Sequence, residues 1–156
     1  MTSKTIGGGQ KILVVDDEHM SDLMRSVLRR LETDGFKPVV VAPEGPHVTG
    51  DDYEAQTLFA METERPSAVL LDVRFGEYDS DRFKGLSILK KIAERDNAMP
   101  VLMFTQYTQG PYRDTAVSAS LSVSASVDFI DKLASPEEVV LCLRRLIGSA
   151  PENIKI

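Results

Sequence analysis

Five polar side chains stand where short apolar runs end, and together they could hold a divalent cation and a phosphoryl group. Lys11-Ile12-Leu13-Val14-Val15 runs into Asp16 and Asp17. Ala68-Val69-Leu70-Leu71 leads to Asp72 and Val73, and Val101-Leu102-Met103-Phe104 ends in Thr105. Val127-Asp128-Phe129-Ile130-Asp131 ends in Lys132. Three clustered carboxylates repel one another and raise at least one apparent pKa unless a cation intervenes. A hard ion with oxygen ligands relieves that repulsion; Mg²⁺ takes one or two carboxylates and keeps waters that a phosphate can replace. Asp72 could then attack phosphorus as a carboxylate nucleophile, forming an acyl phosphate. Mg²⁺, the Lys132 ammonium and the Thr105 hydroxyl would each face one equatorial phosphoryl oxygen.

For these groups to meet, the runs must be neighbouring strands of one sheet. Short apolar runs of this kind read as strands buried on both faces. Between the first two, Met20, Leu23, Met24, Val27, Leu28 and Leu31 recur at helical spacing, Gly35 ends the helix, and residues 38–42 form a second strand. A loop with two prolines and two glycines, residues 43–52, precedes a helix over roughly 52–64 carried by Ala55, Leu58 and Phe59. Leu86, Leu89, Ile92 and Ala93 mark a third helix after the polar stretch 74–84. A fourth is expected over about 112–124, made of small side chains. The last opens on the capping box Ser135-Pro136-Glu137-Glu138 and carries Val139, Val140, Leu143, Leu146 and Ile147. This βα alternation implies parallel strands with right-handed crossovers, and such sheets place ligands at the C-terminal edge of their strands.

At 156 residues, 42% apolar and 27% charged, the chain has the composition of one soluble domain. Its net charge of −6 argues against a nucleic-acid-binding face. Arg25, Arg29, Arg30, Arg144 and Arg145 are read as solvated helix faces, His19 and His47 as surface residues, and Cys142 as a small core residue. A single cysteine excludes an internal disulfide and suits a reducing compartment. No run reaches membrane-spanning length and residues 1–10 lack the apolar centre of a signal peptide, so a cytoplasmic protein without membrane contact is expected. Ser120, Ser122, Ser124 and Ser126 have no nucleophile-elbow glycines around them, which leaves a serine hydrolase unsupported.

Val15-Asp16-Asp17-Glu18, Leu70-Leu71-Asp72-Val73, Phe104-Thr105 and Phe129-Ile130-Asp131-Lys132 resemble the motifs of the receiver domain of two-component response regulators. The resemblance implies a flavodoxin-like α/β three-layer sandwich, a five-stranded parallel sheet of order 2-1-3-4-5 flanked by five helices. It implies one receiver domain over 11–148 between a flexible lead-in, 1–10, and a tail, 149–156. Asp72 would be the phosphoacceptor, fed by a sensor histidine kinase or a histidine phosphotransfer protein. Asp16, Asp17 and Asp72, with the backbone carbonyl of Arg74, would hold Mg²⁺. Thr105 and Phe129 would form the switch, acting on a partner-binding face, an unknown downstream effector or a phosphorylation-dependent homodimer. The chain would not be an enzyme, but a phosphoacceptor that assists its own phosphorylation and dephosphorylation.

This chain also departs from the family's pattern. Leu133 stands where the family has proline, Gln106 where it has a small residue, and Gly85 falls about five residues late. Arg74 and Tyr107, two positions beyond Asp72 and Thr105, are both large and would shield an acyl phosphate from in-line water, against the opposing possibility that the Arg74 guanidinium speeds its hydrolysis. Two rival readings are an aspartyl-phosphate hydrolase and a receiver-shaped interaction module that is not phosphorylated. A hydrolase of that type would carry a second aspartate two residues after its nucleophile on the first strand, a spacing Asp16-Asp17-Glu18-His19 lacks. A silent module would have lost an acid or the lysine. With no effector segment in view, a free-standing receiver or a piece of a larger regulator is expected.

Overall fold

The computed structural model describes residues 9–73, 84–105 and 127–148. The elements in chain order are β1 (Lys11–Val15), α1 (Asp22–Thr33), β2 (Lys37–Val40), α2 (Gly50–Glu64), β3 (Ala68–Leu71), α3 (Lys84–Arg95), β4 (Val101–Thr105), β5 (Val127–Asp131) and α4 (Pro136–Gly148). The five strands form one parallel sheet in the order β2-β1-β3-β4-β5. The described residues hold four helices where five were expected; the helix expected over 112–124 falls outside them, as do Arg74, Gln106, Tyr107, the four serines, the tail and most of the lead-in. None of the described helices is long and apolar enough to cross a membrane.

The sheet separates two apolar layers because side chains alternate along each strand. Ile12 and Val14 of β1 face the layer containing Met24, Val27 and Leu31 of α1 and Val139, Val140 and Leu143 of α4. Leu13 and Val15 face the other, with Tyr53 of α2 and Ile88, Leu89 and Ile92 of α3. β3 and β4 are buried on both faces, as continuous apolar runs require, whereas the edge strands β2 and β5 are half-buried. Pro38 lies in β2, an edge strand, where a missing N–H is tolerated.

Helix ends are set by local chemistry. Ser21 caps α1 by accepting from the Met24 N–H at 3.2 Å, so the helix starts after Met20, which is 71% exposed and not part of the apolar stripe expected of it. At the other end the Phe36 amide bonds Leu31 and the Gly35 amide bonds Glu32, with Gly35 at φ +94°, a Schellman closure. α2 begins at Gly50, two residues before the expected start, because Thr49 and Asp52 form a capping box.

The expected α2 stripe is also corrected: Ala55 and Phe59 are exposed, and the helix buries Tyr53 and Thr57 with Ala60 and Met61 packed behind them. The Thr57 hydroxyl donates to the Tyr53 carbonyl at 2.6 Å, which removes the cost of burying it. The box expected at Ser135 and Glu138 is present in both directions. Cys142 is half-buried at the edge of its layer, short of the core position expected. His47 is exposed and His19 half-buried. Arg25, Arg29, Arg144 and Arg145 are exposed, while Arg30 is half-buried and reaches Glu137 of α4 at 3.2 Å.

Candidate functional site

β1, β3, β4 and β5 deliver the five polar side chains to one edge of the sheet. Asp16 and Asp17 follow β1; Asp16 is turned back by the Glu18 amide, which donates to its Oδ1 at 2.8 Å. Asp72 follows β3, its amide bonded to the Val15 carbonyl at 3.1 Å and its Oδ1 accepting the Val73 N–H at 2.7 Å. Thr105 closes β4 and is fully buried, with its hydroxyl bonded to the Asp72 carboxylate. Lys132 lies just past β5, its amide on the Thr105 carbonyl at 3.3 Å, and the Lys132–Leu133 bond is trans like every described peptide bond. Leu133 is 93% exposed.

Carboxylate oxygens of Asp16, Asp17 and Asp72 all lie within 4.8 Å of one another, a donor set that fits a hard divalent cation. Lys132 Nζ is 2.5 Å from Asp16 Oδ2, 3.4 Å from Asp72 Oδ2 and 3.9 Å from Glu18 Oε1, and sits 5.2 Å from the centre of the Phe104 ring. Burial, then the charge of Asp16, pushes the Asp72 carboxyl up to about 7 against the pull of Lys132, the Val73 amide and Thr105. Burial pulls the Lys132 ammonium down, but the charges of Asp72 and Asp16 outweigh it and its pKa lies above the ordinary value. Both effects follow from crowding charges in a poorly solvated place: burial and the like charge of Asp16 raise Asp72, and the opposite charges of Asp72 and Asp16 raise Lys132.

That crowding makes a stability prediction. Between its ordinary 3.8 and about 7, Asp72 keeps a proton in the folded chain that it loses on unfolding. Its contribution to stability therefore falls as pH rises through that window. Asp72→Asn is expected to stabilise the metal-free protein by about 2 kcal/mol at pH near 8, with the gain shrinking as pH drops toward 4. Urea unfolding in the presence of a chelator measures it; a gain independent of pH would exclude the buried charge as its source.

Of the remaining expected site residues, Phe129 is half-buried on β5 and packs against the α2–α3 layer. Arg74 lies outside the described residues. Sequence reasoning passed over Tyr53, which α2 buries near the acids: burial, then Asp17 and Asp16, push its phenol up to about 12. It also passed over Lys84, whose ammonium meets Asp51 and Glu54. A buried aromatic in the first turn of α2 is the one signal for Tyr53; nothing in the chain order signals Lys84.

Gly85 is part of the site's frame. Its amide bonds the Val73 carbonyl at 2.7 Å, and a Cβ at this position would overlap the Asp72 carbonyl oxygen and stand 2.6 Å from the Val73 Cα.

The chain is similar to known proteins in sequence and in fold. The chain is 27% identical over 137 residues to a protein-glutamate methylesterase/protein-glutamine glutaminase of Trichodesmium erythraeum (strain IMS101), a match covering 86% of this chain and 34% of that protein. The chain thus spans about a third of the length of that curated relative. A CheY-like response regulator receiver domain protein from Methanospirillum hungatei JF-1 superposes with a TM-score of 0.67 at 21% identity, covering 90% of this chain and 94% of that one. NtrX from Brucella abortus superposes with a TM-score of 0.64 at 27% identity, covering 90% of this chain and 27% of that one. The family model described as response regulator receiver domain matches residues 12–144. That match starts inside β1 and ends inside α4, so it takes in every strand and every group at the sheet edge: the chain belongs to the response regulator receiver domain family.

Proposed function

We propose that this chain accepts a phosphoryl group on Asp72 from the phosphohistidine of a sensor kinase or phosphotransfer protein, with Mg²⁺ as the cofactor. The observation that carries the reading is the buried Asp72 carboxyl, with Lys132 3.4 Å away, Thr105 bonded to it and Asp16 and Asp17 within 4.8 Å. In the step, the Asp72 oxygen bonds to phosphorus as the nitrogen–phosphorus bond breaks, and the imidazole leaves with that electron pair. Asp72 must be ionised to attack, and Lys132 favours that form. Thr105 and Lys132 are then available to the transferred oxygens. Asp16, Asp17 and Asp72 would hold Mg²⁺, with the Arg74 carbonyl as a further ligand, and the ion would supply charge neutralisation that a single lysine cannot.

The output follows the family's logic. Thr105 and Phe129 act as the switch; across the sheet from the layer that Phe129 packs against, β5 and α4 leave a groove of about 370 Å³ lined by Ile130, Glu138, Leu141, Cys142 and Arg145. Leu141 is 60% exposed there, which suits a face that meets a partner, either an effector or a second copy. The receiver unit runs over 11–148 and works in the cytoplasm. The methylesterase and NtrX both extend well beyond the matched region, which supports an effector region attached to, or recruited by, a receiver of this kind.

Incubation with a small phosphodonor and Mg²⁺ is expected to add one phosphoryl mass to the intact protein, and Asp72→Asn to abolish it. A wild-type chain that gains no such mass over a range of donor and Mg²⁺ concentrations would instead favour a receiver-shaped module that is not phosphorylated.

A further inference from the structure

The chain leaves the site after Val73 and returns to it at the first turn of α3, and that turn is held from two sides. On one side Gly85 rests against the Asp72–Val73 peptide, through its bond to the Val73 carbonyl. On the other, Lys84 Nζ donates to Asp51 Oδ1 at 2.6 Å and reaches Glu54 Oε1 at 3.1 Å. Glu54 also accepts from the Ser87 hydroxyl at 3.0 Å, so two residues of the α3 start meet one carboxylate of α2. Asp51 is 89% exposed and its ion pair is screened by water, whereas the Lys84 and Glu54 side chains are 13% and 20% exposed. The Lys84–Glu54 pair therefore carries most of the positional information. Burial pulls the Lys84 ammonium down, yet Asp51 and Glu54 together raise its pKa above the ordinary value.

The far end of the same helix is tied separately, by Arg95 to Glu62. Both of those side chains are well exposed, at 45% and 66%. Losing Lys84 would loosen the end of α3 that touches Asp72, where the Ser87–Glu54 and Gly85–Val73 bonds remain, and leave the distal tie in place.

We propose that Lys84 is a positioning residue for Asp72: by pinning the start of α3 to α2 it holds Gly85 against the Asp72–Val73 backbone and so sets the Asp72 carboxylate relative to Asp16, Asp17 and Lys132. This deepens the phosphoacceptor reading, because it concerns the same site, but its first readout does not need phosphorylation. A displacement of the order of 1 Å at such a site is enough to weaken a ligand set.

The test compares Lys84→Met, which keeps the apolar stem, with Arg95→Met at the far end, using the full chain. Amide exchange at Gly85 is expected to quicken about tenfold in Lys84→Met while amides of β1 keep their rates, a local and not a global opening. Calorimetric titration with Mg²⁺ should show affinity reduced about threefold or more, and Arg95→Met should leave both readouts within about twofold of wild type. The charge-reversed pair Lys84→Glu with Glu54→Lys should recover at least about half of each loss. The proposal is wrong if Lys84→Met leaves Gly85 exchange and Mg²⁺ affinity unchanged, or if Arg95→Met moves them as much. Should Lys84→Met not fold, Glu54→Gln is expected to shift the same two readouts in the same direction, and no shift there overturns the idea equally. A wild-type chain that binds Mg²⁺ but takes no phosphoryl group would count against the function proposed above while leaving this comparison intact.

Discussion

Gly85→Ala is expected to lower the free energy of unfolding by about 3 kcal/mol or more, among the largest losses a single methyl group can cause. The reason is what the new Cβ would meet. Its neighbours are the Asp72 carbonyl oxygen, the Asp72 carbonyl carbon at 2.8 Å and the Val73 Cα at 2.6 Å, all of them backbone. A flexible side chain could swing aside; these atoms belong to the backbone that directly follows a strand buried on both faces. Relief must come by moving α3 away from the sheet, which breaks the 2.7 Å bond from Gly85 to Val73 and opens the layer around Ile88, Leu89 and Ile92. Against a typical total of about 5–15 kcal/mol, such a loss leaves a much less stable domain. Denaturant unfolding measures it, and a midpoint within error of wild type would mean that α3 can retreat freely.

Lys132→Met is the second large effect, and its dependence on pH identifies its cause. Methionine keeps much of the lysine stem's volume beside Phe104 but leaves Asp16 and Asp72, both buried, without their cation. Removing one member of a buried charge group costs about 3 kcal/mol, because the remaining charge stays desolvated. Asp72 already titrates far above its ordinary 3.8, so the folded chain binds a proton more tightly than the unfolded one, and stability declines as pH rises toward 7. Without Lys132 that carboxyl moves higher still and the decline extends to higher pH. The loss should therefore be greatest near pH 8 and much smaller near pH 5, where Asp72 can carry the proton itself. Adding Mg²⁺ should return more stability to the variant than to the wild type. An equal loss at both pH values, with or without the ion, would assign the effect to packing.

Much of this molecule can be read from chain order because parallel α/β architecture converts strand ends into a shared edge. Asp16, Asp17, Asp72, Thr105 and Lys132 each follow or close an apolar run, so once the runs are parallel neighbours these side chains must approach one another. Local chemistry was equally legible where it is self-contained, as at the Ser135–Glu138 capping box and the turn at Gly35. Strand positions were close for the same reason: uninterrupted burial leaves an uninterrupted apolar run.

Other features depended on which surfaces meet, and no linear pattern specifies that. The buried face of α2 is Tyr53 and Thr57, not Ala55 and Phe59, because a hydroxyl bonded to its own helix can be buried like an apolar group. Met20 reads as part of a stripe, yet Ser21 starts the helix after it and leaves it in water. Lys84 is one more charge in a polar stretch until α3 lies beside α2 and brings Asp51 and Glu54 to it. The resemblance picks out Gly85 as the glycine after the Asp72 loop, but that no side chain fits there appears only once the Asp72 backbone closes over it. The raised pKa of Asp72 belongs to this second group as well. Sequence places a carboxylate near other charges, but the size of the shift depends on how much water the packed layers exclude, and that is decided only by the tertiary structure.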